Sequence, residues 1–235
     1  FIMKINKITT KTNYLLLHFK RSMIGFISLI LFFYAISHLP LSTSISLNYT
    51  SPIFVGLLMP VILKRKVNYK IFTLVFVGFI GVFFILKPTF YGQNIYAGLI
   101  GLFSGFGAGI AYLYVTQLGQ VKEPDIRTVF YFTLISTVGS AILLINQEIH
   151  VPKIQDIKIL IYLGISATIA QIAITRAYRV GNTLSNAGLS YLTIIFSAFF
   201  GVIFFEESLD LLSIFGVTLI IVSGIYISIK QSRLK

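Results

Sequence analysis

The sequence predicts an all-α integral membrane protein of about eight transmembrane helices, and three observations carry that reading. Of its 235 residues, 56% are hydrophobic and only 11% charged, far from the mixture of a water-soluble domain. The apolar residues form long blocks rather than periodic stripes. The basic residues, which give a formal charge of +12, sit between those blocks instead of along one face, as a nucleic-acid-binding surface would need.

A bilayer core of about 30 Å takes roughly 20 helical residues, and that ruler divides the chain as follows. The first run, Ser22 to Ser37, follows a basic segment ending at Lys20-Arg21. The second, Ser44 to Leu63, contains Pro52 and Pro60 and stops at Lys64-Arg65-Lys66. Ile71 to Leu86 is the third. Ile95 to Gln117, the fourth, carries Gly101, Gly105 and Gly109 at a spacing that smooths one face for close helix contact. Thr128 to Asn146 and Ile159 to Thr175 follow, the latter closed by Arg176 and Arg179. Leu184 to Phe205 and Leu211 to Ile229 complete the set. Continuous runs favour helices over barrel strands, because lipid requires every backbone group to be bonded within its own segment.

Orientation follows from the retention of positive residues in the cytoplasm. With both termini inside, 16 of the 19 Lys and Arg are cytoplasmic and only Lys87, Lys153 and Lys158 lie outside. An even number of spans preserves that alternation. A cleavable-signal reading of the first run, with Ala35-Ile36-Ser37 as the small-residue site, is outweighed by seven further spans.

Sliding the sequence against itself by 142 residues lays Ser22–Leu63 on Gly164–Phe205. Ala35, Leu47, Tyr49 and Phe54 then fall on Ala177, Leu189, Tyr191 and Phe196, and one further residue in the next loop lays Gly81 on Gly224. Partners stand five spans apart, an odd number, so the copies are inserted upside down relative to each other, an architecture of many secondary transporters. The expected organisation is a basic cytoplasmic segment at 1–21, a three-span first copy at 22–87, a five-span second copy at 95–229 and a cytoplasmic tail at 230–235. The first copy reads as two spans short, and the chain opens on Phe1, so two leading spans are expected to be missing.

The residues from Leu39-Pro40-Leu41 through Tyr49-Thr50-Ser51-Pro52 to Gly78-Phe79-Ile80-Gly81, with Ala177-Tyr178-Arg179, Leu189-Ser190-Tyr191-Leu192, Phe205-Glu206-Glu207 and Gly216 to Gly224, resemble EamA-type proteins of the drug/metabolite transporter superfamily. The resemblance covers nearly all of the chain after Phe19. It implies a ten-span, five-plus-five carrier of the bacterial inner membrane that moves amino acids, nucleotide-like metabolites or drugs; some such proteins take up S-adenosylmethionine, for which no motif stands here. Lys64-Arg65 occupies the place where the first copy usually has an acidic residue like Glu207.

A polar solute needs polar groups within the spans. All seven acidic residues fall at span ends or in loops, which leaves no mid-membrane carboxylate as a proton relay. The uncharged candidates are Asn48, Tyr49 and Ser51 in the second span, Ser190, Tyr191 and Thr193 in the seventh, and Asn186 and Gln171 beside them; the bland reading of the same groups is helix-to-helix bonding. Pro52 and Pro60 are placed to kink or break their helix. His18, His38 and His150 fall outside the spans, lack metal-ligand spacing and are expected to be solvated. No cofactor and no metal are expected. The partners are the lipid bilayer and a small solute, with a homodimer as an optional assembly. An enzyme would need a nucleophile with its base, a helical His-Glu-x-x-His or paired carboxylates within the spans, and none is present. A non-transporting remnant or partner subunit, and a channel, are the remaining rivals.

Overall fold

The structure, a computed structural model, describes residues 8–87, 94–145, 153–205 and 210–232. Among these every regular element is a helix: α1 Leu15–His38, α2 Leu41–Asn48, α3 Ser51–Ile62, α4 Tyr69–Leu86, α5 Ile95–Gln120, α6 Asp125–Leu144, α7 Ile154–Val180, α8 Thr183–Leu189, α9 Leu192–Phe205 and α10 Leu211–Ser232. They make eight candidate spans, α2 with α3 and α8 with α9 each joining into one. The eight predicted runs are all there. Several helices extend past their apolar stretch, α1 starting at Leu15 and α7 at Ile154, because a helix continues into its charged flanks where long basic side chains reach water.

The chain forms two compact units. The first comprises residues up to Phe26 and Tyr114–Gly181; the second comprises Ile27–Leu113 and Asn182–Lys235. In the first unit α1 lies on α6, with Phe26 against Gly139 and the His18 ring 4.7 Å from that of Tyr131. Here the sequence expectation for His18 is corrected. It lies inside α1 and is fully buried, since the helix begins at Leu15, about two turns before the apolar run, and turns this position inward. His38 is exposed and stacks on Tyr34; His150 lies outside the described residues.

In the second unit α4 and α10 pack most closely. A Cβ on Gly81 would stand 2.7 Å from the Gly216 carbonyl oxygen, and one on Gly216 2.6 Å from that of Gly81, so backbone meets backbone there without side chains between. The glycine face of α5 meets the second span: Gly101 faces Leu47 and Ala35, Gly105 faces Thr50 and the Leu47 carbonyl, and Gly109 faces Ser51 and Phe54. This is the close contact that the four-residue spacing predicts.

Candidate functional site

The second span is not one helix. Pro52 has no N–H to give to the Asn48 carbonyl, and α2 ends there. Tyr49 and Thr50 form a turn, with the Thr50 N–H donating to Leu47 O at 3.2 Å and the Thr50 hydroxyl donating to the same carbonyl at 2.5 Å. Helix α3 then starts with Pro52 in its first turn, a position that needs no donor. Pro60, by contrast, sits inside α3 without ending it.

The seventh span breaks at the corresponding place. Ser190 and Tyr191 form a turn between α8 and α9, the Ser190 N–H reaching both Asn186 O and Ala187 O at 3.2 Å and the Ser190 hydroxyl donating to Ala187 O at 2.7 Å. No proline causes this break. At both turns a hydroxyl serves a carbonyl three residues back, the local competition with helix bonding that Ser and Thr side chains offer.

The two turns carry Tyr49 and Tyr191, which occupy matching repeat positions. Their ring centroids are 6.2 Å apart at 40°, within the range of a favourable aromatic pair. The Tyr49 hydroxyl engages the Thr193 side chain. Tyr191 is 1% exposed, with its ring 6.4 Å from Phe79 and its edge over Gly78, where a Cβ would come within 2.8 Å. Its hydroxyl has no hydrogen-bond partner among the described residues, an arrangement that costs about 1–3 kcal/mol for a buried polar group.

Of the other sequence candidates, Asn48 donates from Nδ2 to the Ser104 hydroxyl at 3.1 Å, and Ser51 is buried against Gly109. Asn186 is half-buried on α8, and Thr193 is exposed at the start of α9. Gln171 belongs to the first unit, where its Oε1 accepts from Arg21 Nη2 at 3.3 Å. Glu206 and Glu207 lie outside the described residues.

Sequence reasoning missed Ser104, Ser28 and Phe79. Ser104 is fully buried and donates to Gly101 O at 2.6 Å, while its own carbonyl accepts from Ser28 at 2.7 Å. Its signal was available: a lone hydroxyl beside the glycines of α5. A recess of about 240 Å³ also opens at Leu39, Thr43, Leu47 and Leu102, lined almost wholly by apolar groups and away from the tyrosine pair.

With two broken spans meeting through matched tyrosines, comparison with known proteins decides the class. The EamA-like transporter family matches this chain over residues 1–87 and 95–229. The chain belongs to that family. It is 29% identical over 208 residues to the pseudopaline exporter CntI of Pseudomonas aeruginosa, spanning 88% of this chain and 73% of that protein. It is 25% identical to a riboflavin transporter of Brucella anthropi, over 94% of this chain and 79% of the relative. Against an S-adenosylmethionine uptake transporter of Rickettsia bellii the identity is 23%, over 99% and 79%. A solved crystal structure superposes with a TM-score of 0.82 at 15% identity, covering 98% of this chain and 82% of that one, which supports the fold alone. This EamA-family chain is thus a multi-pass membrane transporter, and small metabolites are the cargo class that its relatives' names share.

Proposed function

We propose that this EamA-family chain is a secondary carrier of the bacterial inner membrane. In this reading the two inverted copies rock about a site at the two helix breaks, and both termini face the cytoplasm. The observation that carries the reading is the pairing of Tyr49 with Tyr191 on interrupted spans, at matching positions of the two copies. Broken helices expose backbone and side-chain polar groups where a solute can use them, and the unpartnered Tyr191 hydroxyl is a group that a bound solute would satisfy. Asn48, Tyr49, Ser51, Asn186, Ser190, Tyr191 and Thr193 carry no formal charge, so the cargo is held by hydrogen bonds and by its flat or apolar parts against rings. Its work is passage rather than catalysis. Relatives named for pseudopaline, riboflavin and S-adenosylmethionine support a polar metabolite as cargo.

The test compares metabolites of cells expressing the chain with those of empty-vector cells, inside and outside. One solute class should accumulate or be depleted on expression. Tyr191→Phe removes only the hydroxyl, and loss of one neutral hydrogen bond worth about 0.5–1.5 kcal/mol should weaken apparent affinity roughly threefold to tenfold, with membrane insertion unchanged. An unaltered transport curve for Tyr191→Phe would remove that hydroxyl from the site.

A further inference from the structure

A second polar centre, in the first unit, is used by none of the foregoing. His18 is fully buried and Glu123 is 6% exposed, with His18 Nε2 3.2 Å from Glu123 Oε2. Lys122 ends α5 in the left-handed conformation, φ 60°, and the Glu123 N–H bonds back to Leu118 O at 3.0 Å. This turn, of a kind common at helix ends, brings the carboxylate under α1. The carboxylate also accepts from Thr12 Oγ1 at 2.8 Å and from Arg127 Nη1 at 2.9 Å.

The same groups tie down the segment that precedes α1. Arg127 Nε donates to Thr9 O at 2.9 Å, and the Tyr131 hydroxyl donates to Thr10 O at 2.7 Å. Beside them lies a cavity of about 510 Å³, bounded by Lys11, Tyr14, Glu123, Arg127 and Tyr131, which opens on the carboxylate side of the pair.

An ionised carboxylate only accepts, so the imidazole nitrogen facing it carries the hydrogen and Nδ1 is the bare acceptor. Nδ1 is buried without a hydrogen-bond partner among the described residues. It is therefore an open position for one proton. We propose that His18 and Glu123 form a proton-binding site, the proton serving as the coupling ion of the carrier and its occupancy governing the docking of residues 8–14. This rests on the carrier reading above.

The proton is taken up at Nδ1, giving an imidazolium whose Nε2–H stays on Glu123. No other bond changes. Around it, burial opposes the added charge most, Glu123 favours it, and Arg127 on the same carboxylate and Arg21 one turn along α1 also oppose it. Lys11 and Tyr14 face the site from the segment and Tyr131 from α6, and Asp125 is held by Arg179 of α7 at 3.2 Å. A proton thus adds a fourth cation, beside Arg127, Arg21 and Lys11, around the single Glu123 carboxylate. The Arg127–Glu123–Thr12 connection weakens, and the segment is released. Outside the spans, burial pushes the Glu123 carboxyl up, but hydrogen bonds from Thr12, Arg127 and His18 and the Arg127 charge leave it below its ordinary value, so it is ionised when His18 takes its proton.

Two readouts need no solute. Nitrogen-labelled histidine spectra of the detergent-solubilised chain, with the His18 signal assigned by its loss in His18→Gln, should show that ring taking a proton on acidification below neutral pH, with the midpoint moved by about one pH unit or more in Glu123→Gln. The chain has no cysteine, so a nitroxide on Thr10→Cys reports the segment alone. Its mobility should rise on acidification, and the rise should vanish in the His18→Gln background. Tyr131→Phe should raise mobility at every pH while leaving the titration in place. A His18 ring that takes no proton below neutral pH, or a midpoint indifferent to Glu123→Gln, overturns the site. Repeating the metabolite comparison at external pH 5.5 and 7.5, values spanning the ordinary histidine range of about 6.5, tests the coupling: the solute difference should depend on pH in wild type and lose that dependence in His18→Gln. A pH-independent difference in wild type overturns the coupling. If no solute difference appears at all, the carrier reading fails, and the spectra still decide whether the site binds protons.

Discussion

The two compact units handle polarity in opposite ways. In the first, ionisable groups are buried or partly buried and joined: His18 with Glu123, Arg127 with Glu123 and Arg179 with Asp125, while the Arg21 guanidinium lies 3.8 Å from the centroid of the Phe132 ring. In the second, the one ion pair among the described residues, Lys87 with Asp210, is half exposed, and the interior holds hydroxyls, an amide, aromatic rings and glycines. Depth explains the difference. Glu123, Asp125, Arg127 and Arg179 cluster at helix ends, within reach of water, where a desolvated charge costs least. The Tyr49 and Tyr191 turns interrupt spans, where only neutral groups are inexpensive. The contrast teaches that this chain separates its neutral candidate solute site from its ionisable centre.

The largest expected effect breaks the second unit by sterics alone. Gly216→Leu places a side chain where even a Cβ would sit 2.6 Å from the Gly81 carbonyl, and overpacking against backbone has no flexible neighbour to absorb it. The variant should give almost no monodisperse protein on size-exclusion chromatography; normal yield would mean that α4 and α10 can separate. Next comes the first unit. Glu123→Ala leaves His18 and Arg127 buried without their carboxylate, a change that costs about 3–5 kcal/mol in comparable buried pairs. Thermal unfolding of the detergent-solubilised chain should fall accordingly, and a shift within error would show that water already reaches the pair.

Much of this contrast was legible in the residues. Eight apolar runs fixed the spans, and the glycines of α5 announced their own packing. The break at Tyr49 was signalled by Pro52, whereas that at Ser190 had no such mark and emerges only in the structure. His18 was misread for a physical reason: hydropathy counts where apolar residues begin, not where the helix begins, and the partner carboxylate lies 105 positions away. The Tyr49–Tyr191 pairing was legible as matched positions; that the rings approach each other depends on helix packing that one sequence does not carry.

Within the second unit, Asn48→Ala removes the amide that reaches Ser104, and an interhelical bond of this sort averages about 0.6 kcal/mol in membranes. A small drop in melting temperature is expected, well under that of Glu123→Ala; equal losses would erase the distinction between the units.

The smallest effect is electrostatic. Hydrogen bonds from Lys87 and from the hydroxyl and backbone N–H of Ser213 hold the Asp210 carboxyl down to about 2, and this cap starts α10. Because the folded value is depressed, the contribution is fully present above the ordinary carboxylate range and is lost as pH falls toward 2. Both side chains are 49% exposed, so water and salt screen the pair strongly. Lys87→Met should therefore leave the melting temperature at neutral pH nearly unchanged while raising the Asp210 midpoint in a carbon-detected carboxyl titration. Equal midpoints in the two proteins would assign the depression to Ser213 alone, and a large thermal loss would mean that this pair, unlike other exposed pairs, supports its unit as the buried ones support theirs.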